Sequence, residues 1–369
     1  MAKIKQIAYE NRKRIIFMSI MIFTLIVFAF LKKNPYICEY VFARGISRFL
    51  LSAISKVTNL FPFSLTEWTY IIVIGFLIFL VIKVIIHFVK KNYRRGATIL
   101  YRIAAVAITM VVAINILFTF QYNRYPLGEE LGLKEAEVTL QTAYDSAEFY
   151  ITKASELSQK FDRDETGAVI SPYTFQELVD MINNEYGRLT SDYFSQHKTR
   201  SKPLLFSKAM CYMGFTGMYF PYYAESNISV AVPSYTLPVT ICHELAHSKG
   251  VMRENEANFT AYYLLITSDN EYLQYCALLY AANASLNETY DENNKSYYEK
   301  AYELFSEEMF KDFSAASKMW DGYDTFLDDI GDWFNDLYLK SSGVSSGVKS
   351  YSETGVFLIR LHQTICDEK

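Results

Sequence analysis

Three long apolar runs inside the first 120 residues constrain this chain more than any other feature. The first, 15–31 (IIFMSIMIFTLIVFAFL), has 17 uncharged residues. As a helix it spans about 25 Å, enough for a thin hydrocarbon core. Arg12, Lys13 and Arg14 precede it, Lys32 and Lys33 follow it, and no small-residue cleavage site intervenes, so it reads as an uncleaved anchor. The second run, about 68–89, carries Lys83 and His87 in its last third, where such side chains reach the headgroups. His87 is read there as interfacial rather than as part of a proton relay. The third, about 103–120, contains a single amide residue, Asn115, expected at a helix–helix contact.

Loop charges orient these spans. The N-terminal tail and the second loop together carry nine Lys and Arg, the first loop five. That bias puts the tail and second loop in the cytoplasm and everything after Gln121 outside. The expectation is a multi-pass protein of the cytoplasmic (inner) membrane, associated with the lipid bilayer. Its membrane domain covers 1–121 with an amphipathic outer loop at 32–67, and an extracytoplasmic domain covers 122–369.

Composition agrees with two unlike halves. Residues 1–118 hold 16 Lys and Arg against 3 Glu, whereas 119–369 hold 20 against 37 Asp and Glu. The acidic half speaks against nucleic acid, since phosphate binding needs a cationic surface, and the basic charges of the first half flank apolar runs. With 15 Gly and 8 Pro in 369 residues, the chain is neither turn-rich β nor low-complexity. Its five cysteines (Cys38, Cys211, Cys242, Cys276, Cys366) form no CxxC pair and read as small buried hydrophobes. Within the first loop, Val41, Ile46, Phe49, Leu50 and Ile54 recur at helical intervals with Arg44, Arg48 and Lys56 off the stripe. This fits an amphipathic helix on the outer leaflet, or equally a cover for the second domain.

Beyond 124 the pattern is helical. Residues 139–161, 171–189 and 293–320 read as amphipathic helices, the second opened by Ser171 and Pro172. Only 227–233 (NISVAVP) alternates like a strand. The expected fold is mainly α with a small β-sheet. Directly after that strand stands His243-Glu244-Leu245-Ala246-His247, an HExxH sequence. On a helix, residues i and i+4 share a face, so both imidazoles can reach one zinc ion. Glu244 beside them can take a proton from water. Pro238 suits the first turn of that helix and Gly250 its end.

The site is similar to that of membrane-anchored glutamate-type zincins, in which HExxH is followed by ExxA[DN], here Glu254-Asn255-Glu256-Ala257-Asn258. The resemblance implies a third metal ligand on the next helix and, four residues on, a group that orients a ligating His. Glu254 and Asn258 have that spacing, with Asn where Asp is usual. Glu256 stands about 200° away on a helix and is expected as a solvated or salt-bridged neighbour. The resemblance also implies a peptide laid along an edge strand, for which 227–232 is the candidate. Over nearly its full length the chain resembles an uncharacterised bacterial membrane family, domain-of-unknown-function family 3810. The likeness is carried by LFPFSLTEW (60–68), by 213–259 around the motif and by SGVKSY (346–351). It implies three N-terminal spans and a zinc metallopeptidase-like domain of the cell envelope.

Tyr219, Tyr222, Lys349, Tyr351 and His362 are candidate oxyanion stabilisers. His197, in a polar loop, is expected to be solvated. The resulting reading is a glutamate-zincin domain that binds Zn2+ through His243, His247 and Glu254. Glu244 serves as general base for hydrolysis of a peptide or protein at the outer face of the membrane. The rivals are a zincin-fold sensor or binding protein that cleaves nothing, and a zinc hydrolase of a non-peptide envelope component.

Overall fold

The computed structural model describes residues 9, 11–133, 137–342, 344 and 353–367. The chain is mainly helical and divides into two compact units, 1–51 with 65–125, and 52–64 with 126–369. The middle of the 32–67 loop therefore goes with the second unit rather than with the membrane half, and the boundary expected at 121/122 lies at 125/126.

The first unit contains α1 (Arg12–Leu31), the start of α2 (Arg48–Thr58), α3 (Leu65–Val89) and α4 (Tyr93–Leu117). Helices α1, α3 and α4 are candidate membrane spans, and none of the residues in their most apolar windows is buried. Helix α4 starts ten residues before the apolar run expected from 103, because hydropathy marks bilayer depth and not hydrogen-bonded ends. Arg94, Arg95, Ala97 and Leu100 extend the helix readily. It ends at Leu117, where Thr119–Asn123 tightens into a 3-10 turn. Asn115, expected at a helix–helix contact, is buried, and its amide donates to Val111 O of its own helix at 2.8 Å.

Between α1 and α2 a wide π-type helix, Ile37–Ser47, buries Cys38, Glu39, Phe42, Ala43 and Ser47. Phe42 stacks on Phe120 with ring centroids 3.6 Å apart, and Phe28 meets Phe120 edge-on at 5.2 Å. The Glu39 carboxylate accepts two bonds from the Arg124 guanidinium, at 2.7 and 2.8 Å, and one from Arg44. The stripe expected to be apolar faces outward: Val41 and Ile46 are exposed and Phe49 is 73% exposed, whereas Phe42, Ala43 and Leu51 are buried.

In the second unit the helices are α5 (Leu127–Glu130), α6 (Leu140–Ser158), α7 (Phe175–Tyr186), α8 (Ser207–Cys211), α9 (Thr236–Ser248), α10 (Glu254–Ile266), α11 (Glu271–Glu288), α12 (Ser296–Tyr302), α13 (Glu307–Asp321), α14 (Phe326–Ser342) and α15 (Gly355–Asp367). Thr139 and Thr174 form reciprocal caps with Thr142 and Glu177. The second amphipathic helix therefore begins at Phe175, not at Ser171-Pro172. Helices α6 and α11 pack along each other, and small buried residues such as Ala147, Ala154, Ala277 and Ala281 let the backbones approach.

Strands β1 (Ser201–Pro203), β2 (Gly217–Phe220) and β3 (Glu225–Ile228) form a sheet of order β1-β3-β2. Strand β3 pairs parallel with β1 (Ser201 opposite Ser226) and antiparallel with β2 (Gly217 opposite Ile228). The segment expected as an edge strand at 227–232 is thus corrected twice. It is central, and its ladder stops at Ile228, because the Val230 and Ala231 N–H groups turn to the Ser207 and Ser229 hydroxyls. The edge beside the motif helix is β2. The stretch Ser52–Ser64 is stitched to this sheet: Lys202 Nζ, fully buried, donates to Thr58 O at 3.0 Å and pairs with Glu225, and Ser64 Oγ donates to Asn227 at 2.6 Å.

Candidate metal centre

Helix α9 carries the HExxH residues and is fixed at both ends. Pro238 lies in its first turn, and Tyr186 donates its hydroxyl to Cys242 O at 2.7 Å. At the C-terminus Gly250 takes φ +98°, a left-handed conformation that glycine adopts without penalty. Its N–H donates to His247 O and the Val251 N–H to Ala246 O, which closes the last turn. This reversal also brings Val251 O back to His247, whose Nδ1–H donates to it at 2.8 Å.

Helix α10 begins at Glu254 and supplies the third group. Ligand atoms of His243, His247 and Glu254 all lie within 4.8 Å of one another, so this buried cluster could hold a metal ion. Glu254 Oε2 is 3.2 Å from His243 Nε2 and 3.5 Å from His247 Nε2. One turn on, Asn258 Oδ1 accepts from His243 Nδ1–H at 2.8 Å. Both imidazoles are therefore held at Nδ1 with Nε2 turned to the shared point, as ligating histidines are. Burial alone would raise the Glu254 carboxyl, but the charge and hydrogen bonds of His247 and His243 hold it near 2. Burial likewise opposes charge on His247, yet Glu254, Glu244 and the Val251 carbonyl raise it to about 9. The field that keeps a proton here favours a divalent cation at the same point.

Glu244 is 6% exposed and lines a cleft of about 480 Å³ beside the cluster. Burial raises its carboxyl above the ordinary range, against the pull of the two histidines. It accepts the Tyr219 backbone N–H, while its Oε2 has no hydrogen-bond partner among the described residues. Strand β2 comes so close that a Cβ on Gly217 would stand 2.7 Å from Glu244 Oε1 and 2.8 Å from Thr240 Cγ2. Only glycine fits there. The cleft is also lined by Asn258, Tyr262 and Tyr280, and burial raises both tyrosines, so both stay protonated donors.

Several expectations change. Of the two alternatives for Glu256, the salt-bridged one holds, but the residue is buried: it pairs with Arg253 at 2.7 Å and accepts the Leu127 N–H at 3.0 Å. His197 is half-buried, with Nδ1 2.5 Å from Ser195 Oγ, and its carbonyl accepts from Lys249. His362 lies outside the cleft lining, its ring 4.8 Å from Phe149, because that face of α15 packs into the core. Tyr222 packs on Phe220 and does not line the cleft either. Tyr219 adjoins the site through its backbone, its ring 6.4 Å from that of His247. Lys349 and Tyr351 lie outside the described residues. Sequence reasoning missed Gly217, Tyr262 and Tyr280; the glycine before an aromatic strand, GMYF, was the available signal for the first.

No curated protein and no solved structure matches the chain. A family model described as "Protein of unknown function (DUF3810)" matches residues 42–359, which takes in the last two candidate spans, the HExxH helix and the Glu254 helix. The chain belongs to that family.

Proposed function

We propose that this protein is a membrane-anchored zinc metallopeptidase of glutamate-zincin type. One observation carries the reading: a buried carboxylate, Glu244, keeps an oxygen without a partner in a cleft that adjoins a convergent His243, His247 and Glu254. The donor set suits zinc. Two imidazoles and one carboxylate match catalytic zinc sites, and separations of 3.2 and 3.5 Å are near the roughly 3.3 Å edge of a tetrahedron with about 2.0 Å bonds. Zinc, when bound, supplies Lewis-acid polarisation of the scissile carbonyl and the attacking water. Glu244 Oε2 takes the proton from that water and passes it to the leaving amine. Tyr262 and Tyr280, held protonated and lining the same cleft, are the candidate donors to the carbonyl oxygen. Strand β2, an edge with a bare glycine toward Glu244, suits an extended peptide added as a further strand. A partner that only senses ligand has no use for a buried, unpartnered Glu244, since such burial costs stability.

The substrate side is the outer face of the cytoplasmic membrane, by the nine-to-five loop-charge bias. The outward Val41, Ile46 and Phe49 favour an amphipathic contact with the outer leaflet over a protein cover. Cleavage of a peptide library by the full-length protein in detergent, with and without chelator, tests the activity; no chelator-sensitive cleavage contradicts it. Alkaline phosphatase fused after residue 125 should be active and fused near Asn92 inactive, and the reverse pattern places the site in the cytoplasm.

A further inference from the structure

A second cavity, of about 600 Å³, lies in the unit formed by 52–64 and 126–369 and shares no lining residue with the cleft of the metal centre. Its wall is polar. Val179 is the one apolar residue in the lining, and Asn59, Asn183, Asn184, Lys198, Thr199 and Arg200 all contribute. The backbone of 198–200 is clamped from two sides. Lys198 O accepts from Ser55 Oγ at 2.9 Å and from Asn59 Nδ2 at 2.8 Å, and Arg200 N donates to Asn59 Oδ1 at 2.9 Å. From α7, Asn183 Nδ2 donates to Thr199 O at 3.3 Å and to Val179 O at 2.9 Å.

Two independent observations point to a ligand. Thr199 is 1% exposed, and neither its Oγ1 nor the buried Asn183 Oδ1 has a hydrogen-bond partner among the described residues. The two carbonyls that hold Asn183 Nδ2 fix the orientation of the amide, so its oxygen is an acceptor that lacks a donor. The second observation is charge. Residues 119–369 hold 20 Lys and Arg against 37 Asp and Glu, yet 198–202 (KTRSK) carries three cations in five positions. Lys202 is paired with Glu225, whereas neither Lys198 nor Arg200 has an ion-pair partner among the described residues. Arg200 reaches only the Gln176 amide oxygen, at 3.5 Å. Asp180, the single carboxylate of the lining, is exposed and accepts from Gln176 Nε2 at 3.1 Å.

We propose that this cavity binds a phosphorylated polyol, with Lys198 and Arg200 taking the phosphate and Asn183 and Thr199 taking neighbouring hydroxyls. Phosphate oxygens answer the two cations but not Asn183 Oδ1, which needs a donor; a hydroxyl on the same ligand supplies it. A phosphoglycerol lipid headgroup and a soluble glycerol phosphate share this chemistry. The chain favours the lipid. Asn59, in the cavity wall, stands six residues before Leu65, where the candidate span α3 begins, and Leu60, Phe61 and Phe63 between them are exposed. The proposal does not rest on the peptidase reading.

The test is titration calorimetry on full-length, zinc-loaded protein in non-ionic detergent. The ligands are short-chain phosphatidylglycerol, short-chain phosphatidylcholine, glycerol 1-phosphate and inorganic phosphate. Phosphatidylglycerol should bind about tenfold tighter than phosphatidylcholine, which keeps the phosphate and lacks the hydroxyls, and glycerol phosphate should exceed inorganic phosphate similarly. Lys198→Gln with Arg200→Gln should weaken phosphatidylglycerol at least about tenfold and flatten its salt dependence, at unchanged zinc content. Thr199→Val, which keeps the shape and removes the hydroxyl, should narrow the ratio between the two lipids. If the double variant fails to fold, Lys198→Gln alone, at an exposed residue, should weaken binding about threefold. Tighter binding of phosphatidylglycerol than of glycerol phosphate supports the site with a lipid as its source, and equal binding supports it with a soluble source. Equal affinity for the two lipids overturns the proposal. So does binding undiminished in the double variant, the result expected if the phosphate sits on the zinc instead.

Discussion

The two units of this molecule are inverted with respect to polarity, and the inversion separates polar burial that stabilises from polar burial that can do chemistry. In the first unit the outward surface is apolar, with Phe23, Phe30, Ile72 and Val106 exposed. Its interior ion cluster, Glu39 with Arg124 and Arg44, is fully satisfied. A surface of that kind is stable only against hydrocarbon. The second unit packs Tyr150, Phe259 and Leu279 inside and leaves most charges outside. Its buried charges include the paired Lys202 with Glu225 and Asp312 with Arg163, and a further group around α9 and α10: Glu244, His247, Glu254 and Glu256. Of these, Glu256 is paired as completely as Glu39, whereas Glu244 is not. An unpartnered carboxylate oxygen beside the His243, His247 and Glu254 cluster, more than burial, distinguishes the cleft.

The comparison can be broken at its satisfied members first. Arg124→Met leaves Glu39 buried with the partly buried Arg44, and should cost about 3–5 kcal/mol, read as loss of folded protein on heating in detergent. Retention of the wild-type melting temperature would show that Glu39 is not an internal charge. Glu256→Ala orphans the Leu127 N–H and removes one partner of Arg253, and should cost about 2–3 kcal/mol while metal content stays at the wild-type level. That is more than the surface-like change its helical phase alone suggested. Gly217→Ala forces β2 away from Glu244 and Thr240, for about 1–3 kcal/mol of overpacking, and should lower hydrolysis by more than that stability loss explains.

Acid and base should act on the centre in opposite senses. In metal-free protein Glu254 lies near 2, below its ordinary 4.5, so its contribution is present above about pH 4.5 and lost as pH falls through 2. His247 lies near 9, above its ordinary 6.5, so its contribution is present below about pH 6.5 and lost as pH rises through 9. Chelator-treated protein should therefore melt highest between about pH 4.5 and 6.5, and Glu254→Gln should flatten the decline toward pH 9. Metal uptake runs the other way, tightening as pH rises toward 9, where the imidazole gives up its proton. The smallest effect belongs to the outward apolar positions: Leu60→Ser, at a residue 78% exposed, should shift stability by no more than about 0.5 kcal/mol. A larger loss would mean that the residue is covered by protein.

Much of the centre was legible because it is local. His243 with His247, and Glu254 with Asn258, are i, i+4 pairs on two consecutive helices, and the resemblance to glutamate-type zincins linked the second pair to the first. The apolar spans were legible for the same reason. What failed was non-local. The burial of Glu256 depends on Leu127, 129 residues away, and the pairing that makes 225–228 central depends on β1 and β2. The alternation of NISVAVP could not reveal that two serine hydroxyls end its ladder. Nor could any spacing show that Tyr262 and Tyr280, on different helices, face the same cleft as Glu244.

The central claim is tested most directly by metal analysis and peptide turnover on three matched preparations: wild type, Glu244→Gln and Glu254→Ala. The account predicts about one zinc per chain in wild type and in Glu244→Gln, turnover only in wild type, and loss of zinc from Glu254→Ala under mild chelation, since two imidazoles alone do not close the site. Stoichiometric zinc in Glu254→Ala, or full turnover by Glu244→Gln, would contradict it.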